Sequence, residues 1–402
     1  MNNEKTSNIL FYIPILYFFL KIGLVFIKEN NLFSIPATLI VGIIFIFLYL
    51  CKKKTIVFDK SFFSFLFYSI FISLVYIATT NSNYKLTVKS YLCQIFISFV
   101  AFVIYKFLSE ENSLNKARLA KILLLIILVS AVYTAYVATT SDNLHIIRDA
   151  ASGRVDDNYA TYGGFSFIYG LVVVYTITLA YLRQSSATIK NSTKIFLIGF
   201  LIIIAYTIII SAYTTAFIIV FAGTVIQVFK KTSVKFLILF LAALVILFLP
   251  ELLVSIIKAM DFLPKITSER IISILLSKET TGEFQFISIS GRLDKLYNDW
   301  QIIKENPFLG GYINNTMIRF GDHTQWIGNL ARYGIFAEML LWSTFIGIYK
   351  QAGNDETLSS ISKKCFKSGL IVCLIIGFFN PIELTFVLTP VFLLSPIIDE
   401  IR

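Results

Sequence analysis

The residues best suited to chemistry in this chain are two histidines and a small set of arginines. His145 and His323 are the only histidines. His323 follows Asp322, with Arg319 four residues upstream, in the stretch RFGDHTQW. An imidazole of near-neutral pKa can take a proton from a sugar hydroxyl, and an adjacent carboxylate can orient it or raise its basicity. The same spacing fits an ordinary loop histidine that caps or hydrogen-bonds at a membrane interface. Arg148, Arg154, Arg292, Arg319 and Arg332 carry guanidinium groups, which match phosphate oxygens bidentately and better than lysine does. They can equally pair with Asp142, Asp149, Asp156, Asp157, Asp294 and Asp299 as loop salt bridges. Asp156 and Asp157 are adjacent, share no helix face and have no third ligand nearby, so loop solvation or arginine pairing suits them better than a metal. Tyr159, Tyr162, Tyr297, Trp300, Tyr312 and Trp326 belong to the same segments, and such aromatics serve both interfacial belts and sugar stacking.

Metal chemistry finds little support. The four cysteines, Cys51, Cys93, Cys365 and Cys373, show no CxxC or Cys/His spacing, and none falls in the large polar interval described below. No zinc site, cofactor or disulfide framework is expected.

The elements that must position these residues are membrane helices. The chain has 402 residues, is 57% hydrophobic and only 15% charged. Its mean hydropathy is +0.77. Apolar runs of bilayer-spanning length recur, so the fold class expected is an all-α polytopic membrane protein. A β-barrel would alternate with period two instead. About twelve transmembrane helices are expected, near 9–27, 32–50, 61–79, 88–108, 119–137, 161–182, 194–211, 213–229, 233–250, 326–349, 366–379 and 382–398. The first run lacks a small-residue cleavage site and is expected to stay as a helix. The net charge of +11 comes from short basic clusters beside apolar runs, which is a topology signal and excludes a nucleic-acid partner. With both termini inside, the inner segments hold 20 Lys and Arg and the short outer loops hold 5. Two loops then share the outer side: a short one at 138–160 and a large one at 251–325. All of residues 1–402 form one integral membrane domain.

In the large loop, 252–263 and 271–276 read as short amphipathic helices on the membrane surface. A better-defined helix starts near Ser290. Leu293, Leu296, Trp300 and Ile303 fall on its apolar face, with Arg292, Lys295 and Asp299 off it. Pro307 should end the helix and Gly310-Gly311 should allow a tight reversal. Intramembrane charges are few. Lys21 and Glu338 can snorkel or pair with each other, and Glu383 follows Asn380-Pro381 near the outer end.

The stretches SGRLDKLYNDWQIIKENPFLGGY and DHTQWIGNLARYGIFAEMLLWSTFIG resemble the O-antigen ligase and polymerase superfamily. That pattern has a GR, a later tryptophan, a Pro-φ-φ-Gly, a histidine and a glycine-interrupted span. The segment SGRVDDNYATYGGFSFIYGLVVVY is similar to the family's shorter outer loop. The resemblance implies a GT-C-like fold and catalytic roles for Arg154, Arg292 and His323. It implies Asn158 as the short-loop asparagine, with Arg148, Arg319, Tyr297 and Asp322 as substrate-binding residues beside them. Thr324 stands where the ligases usually show asparagine, and SAYTTA stands where they carry an arginine. Both departures favour a polymerase of the Wzy type.

The activity so implied is inverting, metal-free glycosyl transfer at the outer face of a bacterial inner membrane. Its substrate is an undecaprenyl-pyrophosphate-linked oligosaccharide in membrane lipid. A chain-length regulator protein is a further candidate partner. The alternatives are an O-antigen ligase, which differs in its lipid A-core acceptor, and a flippase or other transporter of lipid-linked oligosaccharide.

Overall fold

Apolar runs that satisfy their backbone bonds internally predict an all-helical bundle, and the described residues form one. The structure is a computed structural model. It describes residues 2–23, 35–53, 60–140, 164–185, 188–211, 213–229, 231–235, 237–238, 255, 258–259, 287–321, 324–381 and 384–401. In chain order the helices are α1 (Asn2–Gly23), α2 (Ile35–Lys53), α3 (Lys60–Ala78), α4 (Ser82–Ser109), α5 (Ser113–Thr140), α6 (Phe165–Ser185), α7 (Asn191–Ile210), α8 (Thr214–Val228), α9 (Ile287–Glu305), α10 (Gly310–Ile313), α11 (Gln325–Asn354), α12 (Ser360–Phe379) and α13 (Leu384–Leu394). A 3-10 turn, Ile398–Glu400, follows.

Helices α3 to α7 are each long and apolar enough to cross a membrane. Shorter apolar helices lie within α1, α2, α8 and α13. By length and composition this is a multi-pass membrane protein. Outward faces such as Phe47, Phe63, Ile77, Ile195, Ile202 and Phe221 stay exposed, as lipid-facing side chains must. The expected span at 233–250 lies mostly outside the described residues. The span expected at 366–379 is longer than its apolar run. The hydroxyl of Ser359 accepts from the Ser362 amide at 3.0 Å and starts α12 earlier. Lys364 on that first turn reaches out to the Gln184 side chain at 2.9 Å.

The centre of the bundle is α4, α6 and α13. Nearly all of α6 is buried. It approaches α13 closely at Gly170, where an added Cβ would stand 2.9 Å from the Phe386 carbonyl oxygen. Further along, the Tyr181 hydroxyl donates to the Ile401 carbonyl at 2.7 Å. The rings of Phe102 and Phe392 join α4 to α13.

Helices α4 and α11 run parallel. Tyr91 meets Asn329 and Tyr333 toward one end. Tyr105 donates to Asp355 at 3.0 Å at the other. Within α11, Gly334 takes φ 79° and ψ 176°. That geometry is open to glycine alone and breaks the helix into Gln325–Tyr333 and Ile335–Asn354. An added Cβ at Gly334 would overlap the Phe308 carbonyl. Gly334→Ala is therefore expected to cost at least ~1–3 kcal/mol from backbone strain alone. Thermal unfolding in detergent should show a clear loss, and an unchanged midpoint would contradict the break.

Candidate functional site

The buried side of α9 is rotated away from the centre of its apolar stripe. Asp299 is 0% exposed and so is Ile302. Leu296 and Ile303 of the stripe are half-buried, whereas Trp300 is 53% exposed and Tyr297 is 62% exposed. The cause is polar. The Gly321 amide donates to Asp299 Oδ1 at 2.8 Å, and a buried backbone N–H must find an acceptor. Gly321 also lies so close to the Lys295 carbonyl that a Cβ would overlap it. A loop strand is thus pressed onto α9 and turns Asp299 inward.

Beyond α9 the chain docks on the break in α11. Pro307 ends the helix as expected, and its carbonyl accepts from the Ile335 amide at 2.9 Å. Phe308 stacks on Phe336 with centroids 5.8 Å apart. Gly310 has φ 74°, and a Cβ there would overlap the Arg332 carbonyl. The Gly310-Gly311 reversal is thus present, and it runs into α10. The following turn is fixed to the α3–α4 connection. Asn315 Nδ2 donates to Thr80 Oγ1 at 2.7 Å, and the Tyr84 hydroxyl donates to the Thr316 carbonyl at 3.0 Å.

These contacts gather a polar cluster around Arg332, next to last in the first segment of α11. Its half-buried guanidinium acts electrostatically on Asp299, Tyr312, Tyr91 and Tyr333. Burial raises the Asp299 carboxyl above its ordinary value, and the Gly321 hydrogen bond and the Arg332 charge pull it partly back. Asp299 Oδ2 is buried with no hydrogen-bond partner. Burial likewise raises the Tyr312 hydroxyl against the lowering effect of Arg332. The Tyr312 ring lies 4.9 Å from Tyr84 and 4.8 Å from Phe320.

A hydrogen-bonded chain continues from this cluster into the bundle. Gln325 Nε2 donates to Asn329 Oδ1 at 3.0 Å, and Asn329 Nδ2 donates to the Tyr91 hydroxyl at 3.1 Å. The hydroxyls of Tyr91 and Tyr68 share a hydrogen bond of 2.7 Å. The Gln325 amide donates to the Asn380 carbonyl at 3.2 Å. Thr324 Oγ1 and Asn380 Nδ2, beside that contact, are buried without a hydrogen-bond partner. Chemically, the cluster offers a cation, buried acceptors and aromatic faces, a set suited to an anionic, hydroxyl-bearing ligand.

Of the residues singled out in the sequence, Tyr297 and Arg319 are both exposed, and no hydrogen bond or ring contact joins them. Arg292 lies in the first half of α9, and its side chain is outside the description. Arg148, Arg154, Asn158, Asp322 and His323 lie outside the described residues, as do His145, Asp156, Asp157 and Glu383. Arg332 is among the arginines singled out in the sequence and Asp299 among their possible partners, whereas Gln325 and Asn329 are site residues that were not selected. Gln325 and Asn329 recur with Arg332 at helical spacing, which is the signal that could have found them. Glu338 does not pair with Lys21. Its Oε1 accepts from Trp342 Nε1 at 2.8 Å, and its Oε2 has no hydrogen-bond partner.

A second polar feature lies at the far end of the bundle. It is an open pocket of about 380 Å³ whose lining includes Tyr49, Lys106, Glu110, Gln351 and Asp355. Asp355 there accepts from Tyr105 and from the Thr357 amide. Among the described residues no three His, Cys, Asp or Glu side chains are placed to hold a metal ion.

Neither a protein-family model nor a curated protein matches the chain.

The raised Asp299 carboxyl gives a testable pH dependence. Its ordinary value is 3.8 and its folded value is higher. Its contribution to stability is therefore fully present below the unfolded value and is lost as pH rises through the folded one. Asp299→Asn removes this titration. The unfolding midpoint of Asp299→Asn should gain on the wild type as pH is raised across that window, and a pH-independent difference would refute the shift.

Proposed function

We propose that the protein is a glycosyltransferase that polymerises undecaprenyl-pyrophosphate-linked oligosaccharide repeat units into surface polysaccharide. The reaction takes place at the periplasmic face of the inner membrane, on a twelve-span, GT-C-like scaffold with both termini in the cytoplasm. The observation that carries this is the Arg332 cluster. A guanidinium acts electrostatically on Tyr91, Tyr312, Tyr333 and buried Asp299, beside a helix break on which the chain after α9, the helix of Arg292, is docked. The segment that holds it begins at Gln325, two residues after His323. A carrier pyrophosphate needs cationic groups at this kind of boundary between helix bundle and outer loop.

In the proposed reaction an acceptor hydroxyl of the next lipid-linked unit attacks the anomeric carbon from the face opposite the pyrophosphate. The new C–O bond forms as the anomeric C–O bond to the pyrophosphate breaks. The electron pair leaves with the carrier diphosphate, and His323 takes the hydroxyl proton. Arg154 and Arg292 neutralise the leaving group, and such preorganised charge is worth several kcal/mol. Asn158, Arg148, Arg319, Tyr297 and Asp322 hold the sugars and phosphates around it. A chain-length regulator protein would act on this complex from outside the bundle.

A transporter of lipid-linked oligosaccharide is the second possibility, and Glu338 is the observation that favours it. A buried carboxylate in a broken helix is a common feature of ion-coupled carriers. Flux of labelled substrate without lengthening would support the transporter.

Arg154→Ala, Arg292→Ala, His323→Ala and Arg332→Ala are each expected to abolish long-chain polysaccharide while the protein stays in the membrane. Arg292→Lys should rescue poorly, because an ammonium cannot make the bidentate contact. Normal chain-length ladders in all four alanine variants would sink the mechanism. Loss of the protein from the cell should leave a single repeat unit on the lipid A-core. If no unit reaches the core, the ligase alternative is favoured. Purified protein should lengthen a lipid-linked repeat unit equally with and without chelator, and activity lost to chelator would contradict a metal-free reaction.

A further inference from the structure

The exposed face of α9 carries an arrangement of which the proposed reaction uses only Tyr297. Tyr297, Trp300 and Lys304 follow one another at spacings of three and four residues, which places them on one face of the helix, and Phe308 comes four residues later in the turn beyond it. A turn follows the end of α9. The Asn306 amide donates to the Ile302 carbonyl at 2.8 Å, and the Gly310 amide donates to the Asn306 carbonyl at 3.1 Å. Phe308 lies within that turn and is exposed, as the stripe is. The opposite side carries buried Asp299, Ile302 and Gly310 and packs into the protein. Along the stripe, Lys304 Nζ lies 5.9 Å from the centre of the Trp300 ring.

The stripe is continuous with the lipid-facing side of α11. Phe308 is 61% exposed and stacks on Phe336, which is 48% exposed. Phe336 is followed on α11 by exposed Met339 and Ile346. The segment from Ile335 to Asn354 rises about 30 Å, the thickness of a bilayer's hydrocarbon core. Phe336 is at its very start, so the Phe308 stack lies at the edge of that core. Beyond that edge come a tryptophan, a tyrosine and a lysine. Aromatic rings with a polar edge and cations on long stems gather in this layer of a membrane.

We propose that the Tyr297–Trp300–Lys304–Phe308 face of α9 lies in the head-group layer of the bilayer and docks the outer loop onto phospholipid. The helix then sits between lipid on one side and the Asp299–Gly321 contact on the other. This places the Arg332 cluster at the depth of lipid head groups. The inference shares Tyr297 with the proposed reaction, and its test reads lipid contact rather than activity.

The test uses the full chain in bilayers of phosphatidylcholine brominated at shallow or at deep acyl positions. The emission of Trp300 is obtained as the difference between the wild type and Trp300→Phe. That component is expected to lose roughly half or more of its intensity with shallow bromines, as for a side chain at the head-group boundary. It should lose little with aqueous iodide. Quenching by iodide, with none by either brominated lipid, would overturn the proposal and mark the face as one that meets water, glycan or a protein partner. Tyr297→Trp adds a reporter to the same stripe and keeps the test decisive if Trp300→Phe does not fold. An added signal that iodide quenches and bromine does not would count equally against it.

Discussion

A helix broken near a membrane surface leaves backbone groups that lipid cannot solvate, and each costs several kcal/mol if left alone. The break at Gly334 is such a place. The Ile335 amide, released from the helical ladder, donates instead to the Pro307 carbonyl. That bond requires the chain after α9 to lie against the break, and this requirement shapes the loop around it. Gly310 and Gly334 both take positive φ, and each passes a carbonyl of the other segment without room for a Cβ. The chain after α9 is thereby held by main chain against main chain.

From that contact the polar cluster follows. With the loop docked, Asp299 meets Gly321, Tyr312 meets Tyr84, and Arg332 faces both carboxylate and rings. The chain Gln325, Asn329, Tyr91 and Tyr68 then carries hydrogen bonding inward through α4 to α3. Buried polar groups in such a chain must be mutually satisfied, because a half-satisfied network is worse than an apolar core. The groups without a partner, Asp299 Oδ2, Thr324 Oγ1 and Asn380 Nδ2, lie around the loop's junction with α11. The inward end, at Tyr91 and Tyr68, is closed.

The long apolar helices α3 to α7 were legible because an apolar run of spanning length has few other uses. The ends of α12 and α11 were not, since caps and a glycine break depend on local backbone geometry that hydropathy ignores. The buried side of α9 was not legible for a related reason. Leu296, Trp300 and Ile303 make an apolar period, but the helix also buries Asp299, which accepts from the Gly321 amide 22 residues away. Periodicity cannot weigh a polar contact across such a separation. Arg332 was visible as an arginine near the outer interface, with Asp299 one of six acidic residues it could pair with, but spacing cannot choose Asp299 among the six or bring Tyr312 beside it. The residues drawn from family resemblance, Arg154 and His323 above all, lie outside the described part of the chain.

The break also explains how one helix can carry both an apolar stretch and part of a polar site. Before Gly334, α11 reads QWIGNLARY and carries Gln325, Asn329 and Arg332. After it, the chain reads IFAEMLLWSTFIG, with Glu338 as its lone charge. An unbroken helix would drive both stretches along one axis and present those polar side chains to whatever surrounds the continuation. The turn at Gly334 lets the first segment change direction where the apolar stretch begins. Its polar residues then join the contacts with α4, α9 and the docked loop, while the second segment keeps an exposed apolar face at Phe336, Met339 and Ile346. The glycine divides the helix by polarity, with Arg332 two residues before the division.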